Sequence, residues 1–104
     1  MPVVHIEPMN FDFGLRWFRG NKEFEFVNSS SVGIFVRLLK TPSKASMMES
    51  LQDRVLLETK IDSNEDFIHL MDQDRLWVTL GYEENDIRAE FALNKGQRLR
   101  ITDK

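Results

Sequence analysis

The chain contains no cysteine. That one absence removes disulfide scaffolds, thiolate metal sites and cysteine nucleophiles together, and it suits a reducing compartment. Glycine and proline are also scarce, five and three in 104 residues against eight phenylalanines, which excludes collagen-like and low-complexity chains. No apolar run approaches the roughly 18 residues of a membrane-spanning helix, and the opening MPVVHIEPMN lacks a cationic segment followed by an apolar one. Positive charge is not in excess: 14 Lys and Arg against 17 Asp and Glu give a net charge of -3, so no basic field exists to release counterions from nucleic acid. The expectation is a soluble, cytoplasmic single domain over residues 1–104, with no nucleic-acid partner and no membrane insertion.

What the sequence does contain is regular punctuation. Turn-forming residues recur at Pro8, Gly14, Gly20-Asn21, Asn28 to Ser31, Pro42-Ser43, Asp62 to Asn64, Glu84 to Asp86 and Asn94 to Gly96. Between them lie seven segments rich in β-branched and aromatic residues: Val3 to Glu7, Glu23 to Val27, Gly33 to Leu39, Arg54 to Lys60, Arg75 to Tyr82, Ile87 to Leu93 and Gln97 to Ile101. Several alternate with period two, so each has one face for a core; Phe24, Phe26, Phe35, Leu76, Val78, Leu80, Ile87 and Phe91 are expected inside. The unbroken apolar runs Ile34-Phe35-Val36 and Val55-Leu56-Leu57 predict central strands covered on both sides or at an interface. Two stretches, Ser46-Met47-Met48-Glu49 and Ser63-Asn64-Glu65-Asp66, carry capping-box spacing, and the second predicts a short helical connector through Met71 that plugs one end of a sandwich.

Sites of chemistry are hard to assemble from these residues. His5 and His69 have no metal-ligating neighbour at a productive spacing, and no serine sits in a strand-Gly-x-Ser-x-Gly-helix context. The acidic positions Asp72, Asp74, Glu83, Glu84 and Asp86 lack the spacing of a calcium loop. Arg16-Trp17-Phe18-Arg19 mixes cations with aromatics, a composition that stacks on bases or simply contributes core rings with wet arginines. Trp77 is more informative. If Leu76, Val78 and Leu80 are buried, alternation turns Trp77 to the opposite face with Arg75 and Thr79, where it is either an interface anchor or covered by a loop such as the Phe67 to Met71 turn.

Read in order, IEPMNFDFG, FEFVNSSSVGIFVRLLKTP, RVLLETKI, DQDRLWVTLGY and IRAEFALNKGQRLRI resemble a major sperm protein domain across nearly the whole chain. In that family a Pro-containing strand leads to a strand ending in Asn-Ser-Ser, the next starts with an aromatic and reaches a Pro, and a hairpin closes the domain. The resemblance implies an all-β, immunoglobulin-like seven-stranded β-sandwich and a non-enzymatic protein-protein interaction module without metal or cofactor. Some members dimerise and build a motility cytoskeleton; others bind a short acidic peptide bearing two phenylalanines. Here Leu38 and Leu39 stand where the peptide-binding members have a Lys and a Thr, and SKASMMESLQD replaces their Pro-rich loop. A changed or lost peptide specificity is what those departures imply.

The resemblance places the partner surface on the sheet face that carries Arg37, Lys40, Arg75, Trp77 and Thr79, suited to a protein segment or to self-association, with no small-molecule substrate. An alternative is a PilZ-like cyclic-dinucleotide-binding regulatory barrel, echoed by Arg16, Arg19, Asn28, Ser30 and Gly33, although its arginine pair stands one residue too close.

Overall fold

Eight strands form the regular structure of the computed structural model, which describes residues 2–8, 23–44, 54–71, 73–84 and 86–103. They are β1 (Val3–Pro8), β2 (Glu23–Asn28), β3 (Ile34–Leu39), β4 (Val55–Ile61), β5 (Asp66–Leu70), β6 (Arg75–Gly81), β7 (Ala89–Asn94) and β8 (Gln97–Thr102). The first sheet has the order β1-β8-β2-β5 and the second β4-β3-β6-β7. Every pairing is antiparallel except that of β2 with β8.

Period-two alternation supplies the core. Phe24, Phe26, Leu99 and Ile101 from the first sheet and Ile34, Val36, Leu38, Ile61, Leu76, Val78, Leu80 and Leu93 from the second make one buried cluster. The two sheets therefore pack face to face as a β-sandwich, each strand giving alternate side chains to the space between them. Among the described residues no helix is long and apolar enough to cross a membrane.

Among the described residues the strand count is eight rather than seven, and the strand not expected from the sequence is β5. The capping spacing at Ser63 to Asp66 forms no helix because its polar groups are used elsewhere. Ser63 Oγ donates to the Ser30 carbonyl at 2.6 Å, Glu65 Oε1 accepts the Asp62 N–H at 3.0 Å, and Asn64 adopts a left-handed φ of 65°. The chain then extends along β2, with Phe67 and His69 turned inward opposite Phe26 and Phe24. The other capping spacing, at Ser46 to Glu49, and the Arg16 to Arg19 segment lie outside the described residues.

Three further expectations are corrected. In β3 the inward set is Ile34, Val36 and Leu38, so Phe35 faces out; a continuous apolar run conceals which of its two faces is inside. Ile87 precedes β7 and is exposed, whereas Phe91 packs half-buried against the core. Val55-Leu56-Leu57 belongs to β4, an edge of the second sheet rather than its centre. The closing segment also departs from a hairpin: β7 pairs with β6, while β8 enters the other sheet between β1 and β2. Gly96, at a φ of 83°, turns the chain between layers, and its N–H donates to the Glu23 carbonyl at 2.9 Å. Leu93 and Leu99 then meet the core from opposite sheets.

Asn28 ties the layers together at one end. Its buried Nδ2 donates to the carbonyls of Val32 at 2.8 Å and Ile61 at 2.9 Å, and its Oδ1 accepts from the N–H and Oγ of Ser30 at 3.0 and 2.6 Å. The Asn-Ser-Ser segment is thus a structural knot in which all four hydrogen-bonding positions of the amide are used.

Candidate functional site

The outer face of the second sheet collects most of the residues singled out from the sequence. Register places Arg37 beside Thr79 and Glu58, with Glu90 next to Thr79. The adjacent row is Leu39, Trp77 and Ala92, and Arg75 lies one row further, opposite Asn94. Arg37, Thr79, Trp77 and Arg75 therefore share one face, and Lys40 is exposed just beyond the end of β3.

They are not equally accessible. Thr79 is 3% exposed and Leu39 is fully buried although both face outward, so this face is covered in part. Residues Pro42 to Lys44 provide described cover. Ser43 reaches Glu90 on β7, its N–H donating to Oε2 at 3.2 Å and its hydroxyl donating to Oε1. Arg54, itself buried, holds the same segment: Nη1 donates to Thr41 Oγ1 at 3.1 Å and to the Pro42 carbonyl at 2.7 Å, and Nη2 donates to the Ser43 carbonyl at 3.4 Å. Trp77 is half-buried beside this strap. The loop at Trp77 is thus the one after β3, and the Phe67 to Met71 segment lies in the opposite sheet.

Between strap and sheet runs a groove of about 480 Å³ lined by Pro42, Lys44, Trp77, Glu90, Phe91 and Ala92. Its walls are apolar and aromatic apart from Glu90, whose carboxylate is engaged by Ser43, and Lys44 stands at the rim; an apolar anchor from an extended chain suits such a site. A second depression on the same face, bounded by Phe35, Arg37, Glu58, Thr79, Glu83 and Asp86, has room for about 20 Å³, the scale of one water molecule. Asp86 is held below the usual carboxylate range by the Tyr82 N–H and by Arg88. Arg37 is paired with Glu58 at 2.9 Å, and Arg75 Nε donates to Asn94 Oδ1 at 2.9 Å, so both guanidinium groups are oriented along the sheet.

Sequence reasoning missed Pro42, Lys44, Glu90 and Arg54. Alternation along the strand puts Glu90 on the face opposite Ala89 and Phe91, but its link to Ser43 spans 47 positions, and no local signal carries such a pairing. Arg54 reads as a strand end, whereas it is buried as an organiser of carbonyl groups. Of the residues echoing a dinucleotide-binding pattern, Asn28 and Ser30 spend their polar atoms on each other and on nearby carbonyls, and Arg16 and Arg19 are outside the described residues. Among the described residues no cluster of three or more His, Asp or Glu is arranged to hold a metal ion.

Comparisons of the chain with protein-family models, curated proteins and solved structures find no match.

Proposed function

We propose that this chain is a non-enzymatic, cytoplasmic protein-recognition domain of the major sperm protein type, which seats an extended segment of a partner protein on the outer face of its second sheet. The observation that carries the proposal is the groove beside Trp77: a mainly apolar channel whose one carboxylate, Glu90, is taken up by Ser43, with Lys44 at its rim and Lys40 and Arg75 nearby. Strand order supports the immunoglobulin-like part of the reading. β2 lies beside β5, and β3, β6 and β7 are consecutive in the second sheet, as the second and fifth and the third, sixth and seventh strands are in that architecture. Two strands depart from that architecture: β4 pairs with β3 rather than with β5, and β8, one of the seven strands expected from the sequence, is inserted between β1 and β2 while β5 takes the fifth position.

The partner chemistry follows from the rim. Lysine and arginine around a tryptophan suit an acidic segment with an aromatic anchor, because the ring supplies the desolvated contact and the cations steer the approach. Titration calorimetry with acidic peptides bearing phenylalanine tests this. Trp77→Ala should weaken binding about thirtyfold, or about 2 kcal/mol, and Lys44→Ala should flatten its salt dependence. Absence of peptide binding by the wild-type protein, or binding indifferent to Trp77→Ala in a folded variant, would overturn the proposal.

A further inference from the structure

Four strands end the two sheets, and three of them carry features that discourage strand addition. β1 ends at Pro8 and bears Glu7, β4 bears Glu58 and Lys60 and has an extra residue between Val55 and Leu57 in its pairing with β3, and β7 bears Glu90, to which the Ser43 strap is bonded. β5, with the sequence Asp-Phe-Ile-His-Leu, has a charge only at its first residue. Its outward side chains Ile68 and Leu70 are 38% and 56% exposed, and among the described residues no strand occupies its free edge.

The direction of the β5 main chain follows from three hydrogen bonds. The Asn28 N–H donates to the Glu65 carbonyl at 2.9 Å, so the even residues of β2 address β5; the Ser29 N–H donates to Ile101 at 2.7 Å and the Glu23 carbonyl accepts from Gly96 at 2.9 Å, so the odd residues address the β8 side. Within the ladder, Phe67 and His69 therefore bond to β2. Asp66, Ile68 and Leu70 turn their N–H and C=O groups to the free edge.

From this we infer that β5 is a self-pairing edge: two copies of the chain join antiparallel about a two-fold axis through Ile68, extending the first sheet continuously from one copy into the other. This surface is separate from the Trp77 groove and does not depend on the recognition role proposed for it. The two-fold register sets Ile68 against Ile68 of the second copy, Asp66 against Leu70 and Phe67 against His69. It uses all three outward residues on each copy, about six main-chain hydrogen bonds; a slip of two positions in either direction forfeits two of them. No charged residue meets its own copy. Phe67 and the imidazole of the second copy's His69 fall in closely spaced non-hydrogen-bonded pairs, where ring side chains make their best cross-strand contact.

Self-complementarity is what favours a second copy over another extended chain. The outer row of the sheet already runs Glu7, Arg98, Glu25, Ile68, with Arg98 Nε 2.7 Å from Glu25 and Nη1 3.5 Å from Glu7. Pairing through Ile68 repeats that row in mirror order, placing apolar side chains at the join and ion pairs on both flanks. An interface of this kind is isologous and closes after two subunits.

The absence of cysteine makes the register directly testable. In the dimer a cysteine at 68 lies about 5.5 Å, Cα to Cα, from its twin, within the disulfide range, while a cysteine at 70 lies about four residues, or about 14 Å, along the strand from its own. Mild oxidation of full-length Ile68→Cys should give a covalent dimer and Leu70→Cys should not. Sedimentation of the unmodified chain should show a concentration-dependent dimer, weakened about tenfold or more by Ile68→Lys and unchanged by Val3→Lys on the β1 edge, with circular dichroism confirming both folds. A monomer at every concentration, a dimer insensitive to Ile68→Lys, or cross-linking equal at 68 and 70 would overturn the inference.

Discussion

The ring of Phe26 stacks on the ring of Phe67, centroids 4.8 Å apart and planes 17° from parallel, and so joins the central strand β2 to the edge strand β5. Phe26 is fully buried in the cluster shared by both sheets, and Phe67 packs against it from the rim. An edge strand of five residues thereby gains an aromatic contact in addition to its main-chain hydrogen bonds.

Removal of that contact should be costly. Phe26→Ala is expected to destabilise the domain by about 3 to 5 kcal/mol, since a buried ring and its packing are lost together. Phe67→Ala should cost less, because its side chain is only partly buried. Urea unfolding curves check both values, and a Phe26→Ala variant with a wild-type midpoint would remove this residue from the core.

Asn28 predicts a different kind of loss. Its side chain satisfies two carbonyls and accepts twice from Ser30, so Asn28→Ala strands several buried partners at once. The expected cost is about 2 to 4 kcal/mol. Asn28→Asp should also destabilise, because a carboxylate cannot donate to the Val32 and Ile61 carbonyls. Thermal melts at neutral pH provide the comparison, and a neutral Asn28→Ala variant would contradict the knot.

His69 gives the stability a pH dependence of known sign. Burial lowers its pKa below the ordinary value of 6.5, so the folded protein favours the neutral imidazole. The unfolded chain then binds the proton first: stability is complete above about pH 6.5 and declines as pH falls from there toward the lowered native value. His69→Gln should flatten that part of the profile. Glu7 acts lower on the scale. Hydrogen bonding and charge from Arg100, with a smaller contribution from Arg98, hold its carboxyl below the ordinary 4.5, so its contribution is present above that value and disappears on further acidification. Denaturant midpoints measured from pH 8 to pH 3 separate the two phases.

Gly81 is constrained by close approach. A Cβ there would run into the Asp86 carbonyl, and that segment is already fixed by the Tyr82 N–H bonded to Asp86 Oδ2 at 3.1 Å. Gly81→Ala should destabilise by about 1 to 3 kcal/mol, as overpacking does elsewhere, and should disturb the amide resonance of Tyr82. An unshifted Tyr82 resonance in a fully stable variant would show that the turn yields without cost.

Much of the sandwich was legible in the sequence because its determinants are local. Period-two alternation located β2, β6 and the inward residues Phe24, Phe26, Leu76, Val78 and Leu80, and the turn residues separated the strands. The same alternation put Arg75, Trp77 and Thr79 on one outer face. Where the local signal was ambiguous, tertiary structure decided. The Ile34 to Val36 run could bury either face, and pairing with β6 chose the one that leaves Phe35 outside. Ser63 to Asp66 has the spacing of a helix start, yet the open edge of β2 and the ring of Phe26 drew the following residues into a strand. The insertion of β8 between β1 and β2 and the strap that joins Ser43 to Glu90 arise from contacts between residues far apart in the chain, whose free energy appears only once both layers are in place.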